Sequence, residues 1–199
     1  MSRDFSLGDA FDYVRKIYSQ FKENGYKAHH WLLKGETMGV PQTRHRVFFV
    51  AFREDLGKDP KHLNMVFDYA PITYGEIKTG VCSKCAENTK RYMLCKQALP
   101  QEKSLGDVNM RLYGKPSAFQ SYMVDDDSII PTLRSKNDII DRNEIAIISI
   151  ETIRRAQTFP EDFDFGNSRS NVEYICGMSV PPVMIKRIVT RVIESGVFG

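Results

Sequence analysis

The sequence feature that most constrains the fold is the continuous apolar run Val47–Phe52. A run of this length without polar interruptions is typical of a strand covered on both faces. Residues 9–24 carry apolar side chains at helical spacing, with Asp9 as a candidate N-cap and Asn24, followed by glycine, as the helix end. Residues 26–33 alternate like a half-buried strand. A helix, a strand, a loop and a buried strand together predict part of an α/β sheet.

The composition fits a globular protein and excludes several other classes. Of the 199 residues, 42% are hydrophobic and 27% are charged, which is enough apolar mass for a core. The apolar run is too short to cross a membrane, and residues 1–20 hold charged residues and no apolar block, so we expect no secretory signal. Four cysteines are too few for a disulfide scaffold. We therefore predict reduced thiols and a cytoplasmic location.

The pattern divides the chain into three segments. Residues 1–56 hold the α/β elements, whereas proline and glycine repeatedly interrupt residues 57–143, which predicts a small irregular domain of short strands and turns. Regular structure returns in residues 144–199. There Ser149 is a candidate N-cap of one helix, and Pro182 opens a last helix with one apolar face.

Basic residues are concentrated in the middle segment. The net charge of the whole chain is +3, but residues 78–115 contain eight basic and three acidic residues, a local excess of five. Such an excess suits a phosphate-binding surface. A solvated, lysine-rich loop gives the same count, and charge alone favours that reading.

Gln42, Arg44 and Arg46 are the side chains best placed for binding chemistry. They stand two residues apart at the entry to the apolar strand, so period two directs all three to the same side of the sheet. Two guanidinium groups at a strand end can hold a phosphate, a carboxylate or a polarised carbonyl. The alternative is a pair of solvated arginines beside a hydrophobic strand.

Four segments in this order resemble the DNA (cytosine-5) methyltransferases. They are Gln42–Arg46, similar to the family's Gln-x-Arg-x-Arg motif; Pro131–Leu133, similar to the element that closes the target-recognition region; Ser149–Asp164, similar to the helix ending in Gln-x-Phe-Pro-x-Asp-Phe; and Cys176–Ile188, similar to the final Gly-Asn-Ser-Val-Pro-Pro element.

The resemblance implies a fold and a function. The fold is α/β: the C-terminal part of a methyltransferase sheet, with residues 57–143 as a small irregular target-recognition domain and residues 144–199 as helices that complete the catalytic domain. The function is transfer of a methyl group from S-adenosylmethionine to carbon 5 of cytosine in duplex DNA, as in DNA methylation and restriction–modification.

The resemblance also implies roles for particular residues. Gln42, Arg44 and Arg46 line the pocket for an extruded cytosine, with Arg46 donating to the base carbonyl oxygen. Met178, Ser179 and Val180 approach the cofactor, although Met178 stands where the family has asparagine and cannot make amide hydrogen bonds. Phosphate contacts with DNA fall to the basic residues Lys84, Lys90, Arg91, Lys96, Arg111 and Lys115.

The family's nucleophile segment has no counterpart in this sequence. Its Gly-rich cofactor loop, Pro-Cys nucleophile and Glu-Asn-Val motif all precede Gln-x-Arg-x-Arg, and here no cysteine follows a proline. We therefore expect a C-terminal portion that shares the cofactor with an N-terminal portion or subunit and is inactive alone. Because its strands lack sheet neighbours, we also expect self-association through an exposed sheet edge or a bound partner. The alternative is a non-catalytic DNA-binding remnant of a truncated gene.

Cys82, Cys85 and Cys95 raise the question of a zinc site. A C-x-x-C pair with a third cysteine could bind zinc with a fourth ligand such as His62, as in a zinc-stabilised binding module unrelated to methylation. A second C-x-x-C pair is absent, and the family does not require zinc. We predict ordinary reduced thiols and no metal.

Overall fold

The structure is a computed structural model that describes residues 7–115, 121–166 and 168–198. It divides into two compact units. One comprises Met1–Leu33, His45–Val66 and Ile188–Gly199, and the other comprises Lys34–Arg44 and Phe67–Arg187. The division into three domains at residues 56 and 143 remains a prediction.

The described elements mix helices and strands, which confirms an α/β composition. In chain order they are α1 (Leu7–Glu23), β1 (Tyr26–Lys34), β2 (Gln42–Thr43), β3 (His45–Arg53), α2 (Tyr74–Ile77), β4 (Val81–Lys84), α3 (Lys90–Lys96), α4 (Leu105–Tyr113), β5 (Met123–Val124), β6 (Ile130–Pro131), β7 (Ile140–Asp141), β8 (Ala146–Ile148), α5 (Ile150–Ala156), α6 (Arg169–Met178) and α7 (Pro182–Glu194). No helix in these described ranges is long and apolar enough to cross a membrane.

The first unit pairs β1 with β3 and packs α1 beside them. Tyr18 of α1 donates to or accepts from His30 Nδ1 at 2.6 Å and meets the ring of Phe49 edge to face, with the centroids 5.8 Å apart. The predicted helix is confirmed, but Asp9 lies inside it and is therefore not its N-cap. The expectation that β3 is covered on both faces is wrong for the described residues: Phe52 is 6% exposed, but Val47 is 51% exposed because no described element packs over its side chain.

The second unit is built on a four-stranded sheet in the order β4-β8-β7-β5. Adjacent residues of β5 enter different hydrophobic clusters, because successive side chains of a strand point to opposite faces. Met123 packs with residues of α3 and α4, and Val124 packs with residues of α5 and α6. The described residues of the middle segment therefore form three helices, α2, α3 and α4, in addition to the short strands and turns that its pattern predicted.

The described residues after position 143 form three helices, α5, α6 and α7. The predicted N-cap of α5 is confirmed, since Ser149 Oγ accepts from the backbone N–H of Thr152 at 3.0 Å. The predicted start of the last helix at Pro182 is also confirmed. Helix α6 was not predicted, because it begins after Ser168 in a polar stretch with little apolar periodicity. Its N-cap bond runs from Asn171 N to Ser168 Oγ at 3.0 Å.

Candidate functional site

The first and second resembling segments lie side by side as a short parallel pair of strands. Gln42 is paired with Ile130, and Thr43 is paired with Pro131. The hydroxyl of Thr132 also donates to the carbonyl of Thr43. A strand pair of two residues contributes few backbone hydrogen bonds, so side chains must hold this region together.

The side chain of Gln42 is fully buried and joins three segments. Its Nε2 donates to the carbonyl of Ala156 at 2.8 Å and to Oε1 of Gln157 at 2.6 Å. Its Oε1 accepts from the backbone N–H of Leu133 at 3.2 Å. Both ends of the amide are therefore used inside the protein, as a buried polar group requires.

Arg44 is 1% exposed and donates to backbone carbonyls. NH1 donates to Leu133 O at 3.0 Å, and NH2 donates to Gly177 O at 2.9 Å and Ser179 O at 2.8 Å. A fixed fork of donors can bind several carbonyls at once. The guanidinium therefore ties the end of the recognition segment to the final segment.

Gln157 completes the connection and was not singled out as a site residue from the sequence. Its Nε2 donates to the carbonyl of Ser179 at 2.9 Å and to its hydroxyl at 2.8 Å. The sequence signal that could have identified it is its position as the glutamine of the third resembling segment. We call Gln42, Arg44, Leu133, Gln157 and Ser179 the four-segment junction, because they join all four segments through buried or half-buried hydrogen bonds.

The turn before Gln42 is also anchored by the last helix. Gly39 has a φ of +64°, and a Cβ there would lie 2.8 Å from NH2 of Arg187. The same guanidinium donates to the carbonyl of Met38 and lies 3.3 Å from the centroid of the Tyr69 ring. Glycine therefore leaves room for a stacked arginine against the turn that leads into the junction.

Comparison with known proteins identifies the family. The profile of the C-5 cytosine-specific DNA methylases matches residues 7–194. The chain belongs to this family. It is 26% identical over 195 residues to the type II methyltransferase M1.HphI of Haemophilus parahaemolyticus, and the alignment covers 90% of this chain and 51% of that protein. The chain thus spans about half the length of this relative.

Solved methyltransferase structures share the fold of this family member. A protein described as a DNA modification methyltransferase of an E. coli prophage matches with a TM-score of 0.62 at 16% identity, over 98% of this chain and 66% of the other. A Spodoptera frugiperda DNMT2 variant matches with a TM-score of 0.59 at 14% identity, over 92% of this chain and 64% of the other.

Arg46, the other arginine of the cytosine-5 methylase motif, differs from Arg44 in its surroundings. It lies in β3, in the first unit, and is half-buried. Its NH1 donates to the carbonyl of the preceding residue, His45, at 2.7 Å. Within the described residues we find no other hydrogen bond or ion pair of this guanidinium. Arg44 thus donates three hydrogen bonds to carbonyls of distant residues, whereas Arg46 donates one, to the residue before it.

The predicted cofactor segment presents apolar side chains outward. Met178 is 64% exposed and Val180 is 36% exposed. Ser179 between them is half-buried, and both its carbonyl and its hydroxyl accept from Gln157. Exposed apolar groups on a fixed backbone suit one face of an adenine ring. In this arrangement Ser179 holds the segment in place.

The six predicted DNA-binding residues differ in whether a carboxylate of the protein pairs with them. Three are paired with carboxylates: Lys84 with Glu144 at 3.5 Å, Arg91 with Asp138 at 3.1 Å, and Arg111 with Glu102 at 2.7 Å. The others are exposed: Lys90 lies 5.4 Å from the centroid of the Tyr113 ring, Lys96 lies 5.7 Å from that of Tyr92, and the remaining residue is Lys115.

The cysteines are not arranged as a metal site. Cys82 is exposed, Cys85 is half-buried and Cys95 is buried. In the described ranges no three His, Cys, Asp or Glu side chains lie together as metal ligands would, and this includes His62. Burial raises the pKa of the Cys95 thiol to about 11 and that of Cys176 to about 12. Both groups are therefore protonated thiols at neutral pH.

Proposed function

We propose that this chain supplies DNA recognition and part of the cytosine and cofactor pockets of a DNA (cytosine-5) methyltransferase. The proposed reaction transfers a methyl group from S-adenosylmethionine to carbon 5 of cytosine in duplex DNA. The observation that carries the proposal is the four-segment junction, in which all four family segments meet through specific hydrogen bonds. Membership of the family supports it independently.

The chemistry gives Arg46 the most direct role among these residues. Carbon 5 of cytosine is a poor nucleophile, so the family adds a cysteine thiolate to carbon 6 and protonates ring nitrogen 3 from a glutamate. The base must first leave the duplex stack. The Arg46 guanidinium is half-buried and has donors to spare, and we propose that it donates to the base carbonyl oxygen and stabilises charge there.

In this proposal Gln42 and Arg44 do not contact the base themselves but hold the residues around it. Their polar groups bind Leu133, Gln157, Gly177 and Ser179, so they fix the walls of the pocket. Met178 and Val180 would pack against the adenosine part of S-adenosylmethionine. The cofactor, when bound, supplies the electrophilic methyl group. Gln157 would keep this segment in position through its two bonds to Ser179.

The proposal requires a thiolate from outside these 199 residues. No cysteine of the sequence follows a proline, and the buried Cys95 and Cys176 have raised pKa values that disfavour the thiolate. We therefore propose that the chain acts with a nucleophile-bearing portion and is inactive alone. The same observation supports a second candidate, a DNA-binding protein without catalytic activity.

Methyl transfer to duplex DNA tests the proposal. The chain would be assayed alone and together with a polypeptide from the same source that carries Pro-Cys and Glu-Asn-Val segments, and methylated cytosine would be located by bisulfite sequencing. We expect methylation only in the mixture. Arg46→Ala should lower the rate in the mixture by about 10²-fold or more, as expected when a donor to a developing charge is lost.

Arg53→Ala provides the matched control. Arg53 is an exposed arginine of the same strand, and it pairs with Asp55 at 2.7 Å. Its removal should leave the rate unchanged. Methylation by the chain alone would overturn the claim of inactivity, and full activity of Arg46→Ala would overturn its pocket role. DNA binding without methylation in any mixture would favour the second candidate.

A further inference from the structure

The loop that follows β6 places two basic side chains on the surface. Arg134 and Lys136 are both exposed, and residues 131–137 contain no acidic residue. The two residues lie beyond the basic stretch at 78–115 and were not among the predicted DNA contacts. They belong to the loop that directly follows the Pro131–Leu133 segment.

The backbone of this loop is fixed from three directions. Arg44 donates to Leu133 O at 3.0 Å. Asn137 is buried and bonds reciprocally with Arg134: its Oδ1 accepts from Arg134 N at 2.8 Å, and its Nδ2 donates to Arg134 O at 2.6 Å. Gly177 packs so closely beneath the loop that a Cβ there would lie 2.1 Å from the carbonyl carbon of Arg134. A loop held in this way loses little conformational entropy on binding.

The charges of the loop are not neutralised by the protein. Neither Arg134 nor Lys136 has a carboxylate within ion-pair distance in the described part of the chain. The guanidinium of Arg134 lies 5.2 Å from the centroid of the Tyr122 ring, which orients it without cancelling its charge. By contrast, Arg91 is paired with Asp138. The loop therefore presents two uncompensated positive charges at fixed backbone positions, which attract an anion.

We propose that Arg134 and Lys136 bind phosphates of the DNA backbone. This inference rests on the proposed function, because that function makes duplex DNA the substrate. We choose phosphates over bases because most protein–DNA hydrogen bonds from Arg and Lys go to the backbone, and two neighbouring uncompensated cations match its row of anionic oxygens. The loop is joined to the four-segment junction through Leu133, so a phosphate bound here would fix the DNA relative to that junction.

The test measures how DNA affinity depends on salt. The affinity of the full chain for a fluorescent duplex would be measured by anisotropy between about 50 and 300 mM salt, for the wild type and for R134Q/K136Q. The slope of log K against log salt is negative, and each lost phosphate contact makes it less steep by about 0.9, so the double variant should make it less steep by about 1.8. At about 0.1 M salt this corresponds to about 60-fold weaker binding.

Two further variants control for charge and folding. R53Q/K61Q removes two positive charges from exposed side chains elsewhere, and both residues are paired with aspartates. It should leave the slope unchanged. R134K/K136R keeps the charges and should restore the wild-type slope, while thermal melting shows that each variant is folded. An unchanged slope in R134Q/K136Q would overturn this inference alone. Absence of DNA binding by the wild type would overturn the proposed function as well.

Discussion

The four-segment junction and the paired strands β1 and β3, which we call the β1–β3 ribbon, differ in the kind of side chain that they bury. In the junction, Gln42 and Arg44 are 0% and 1% exposed, and their polar groups bond within the protein. In the ribbon, Leu32 and Val47 are 61% and 51% exposed although they are apolar. Buried polar groups without partners are costly, whereas exposed apolar groups are free to associate. The junction therefore specifies its own geometry, and the ribbon offers surface for contact.

The largest expected effect comes from removing the arginine at the centre of the junction. Arg44→Met keeps the bulk of the side chain but leaves the carbonyls of Leu133, Gly177 and Ser179 without this donor. We expect the free energy of unfolding to fall by about 3–5 kcal/mol, measured by urea denaturation. Arg46→Met is the matched control and should change it by less than about 0.5 kcal/mol. Equal effects of the two variants would contradict the contrast between these arginines.

A methyl group added at Gly177 should break the same junction by a steric route. Its Cβ would lie 2.1–2.3 Å from backbone atoms of Arg134 and Ser135, which cannot rotate away as a side chain can. Gly177→Ala should therefore cost about 2 kcal/mol or more in urea denaturation, despite the helix propensity of alanine. Gly106→Ala in α4 is the control, because its Cβ would meet only Ser104 Oγ at 3.3 Å. That variant should be neutral or stabilising.

Local patterns in the sequence were enough to predict the helices whose ends are marked by recognisable capping residues. The helix before Gly25, the start of α5 at Ser149 and the start of α7 at Pro182 all follow from capping residues and periodicity. Helix α6 was not predicted because its buried residues pack in a core with residues of strands distant in the sequence. Their spacing reflects that core. Periodicity in one segment does not contain that information.

The junction could be predicted only in part. The resemblance selected Gln42, Arg44 and Ser179, and the structure brings these residues together. Alternation along a strand predicted that Arg44 and Arg46 share one side and form a clamp, but it carries no information on burial. Arg44 binds carbonyls of residues 133, 177 and 179, contacts across at least 89 positions that sequence spacing does not reveal.

The ion pair between Arg111 and Glu102 is intermediate in exposure between the junction and the ribbon. Arg111 Nε donates to Glu102 Oε1 at 2.7 Å, and hydrogen bonding to Arg111 lowers the pKa of Glu102. A lowered pKa stabilises the fold above the unfolded-state value of about 4.3, and this contribution is lost as pH falls through the folded-state value. Arg111→Gln should lower the free energy of unfolding in urea denaturation at pH 7, with a smaller difference at pH 3.

Arg91→Gln tests whether the loss of stability depends on how exposed the carboxylate of the ion pair is. Arg91 pairs with Asp138, whose side chain is 48% exposed, whereas that of Glu102 is 8% exposed. Surface ion pairs contribute little, so this variant should cost about 0.5 kcal/mol or less. A cost equal to that of Arg111→Gln would show that burial of the carboxylate is unimportant here.

The smallest effect on stability is expected where apolar side chains are exposed. L32T/V47T places threonine, a β-branched residue that favours strands, at exposed positions of β1 and β3, so the free energy of unfolding should change by less than about 0.5 kcal/mol. Self-association, measured by sedimentation velocity, should nevertheless weaken because two exposed apolar groups are lost. Leu33→Thr, one position along β1, alters a side chain that is 6% exposed and should cost about 2 kcal/mol without this effect on association. A wild-type chain that stays monomeric at high concentration would contradict the role assigned to the ribbon.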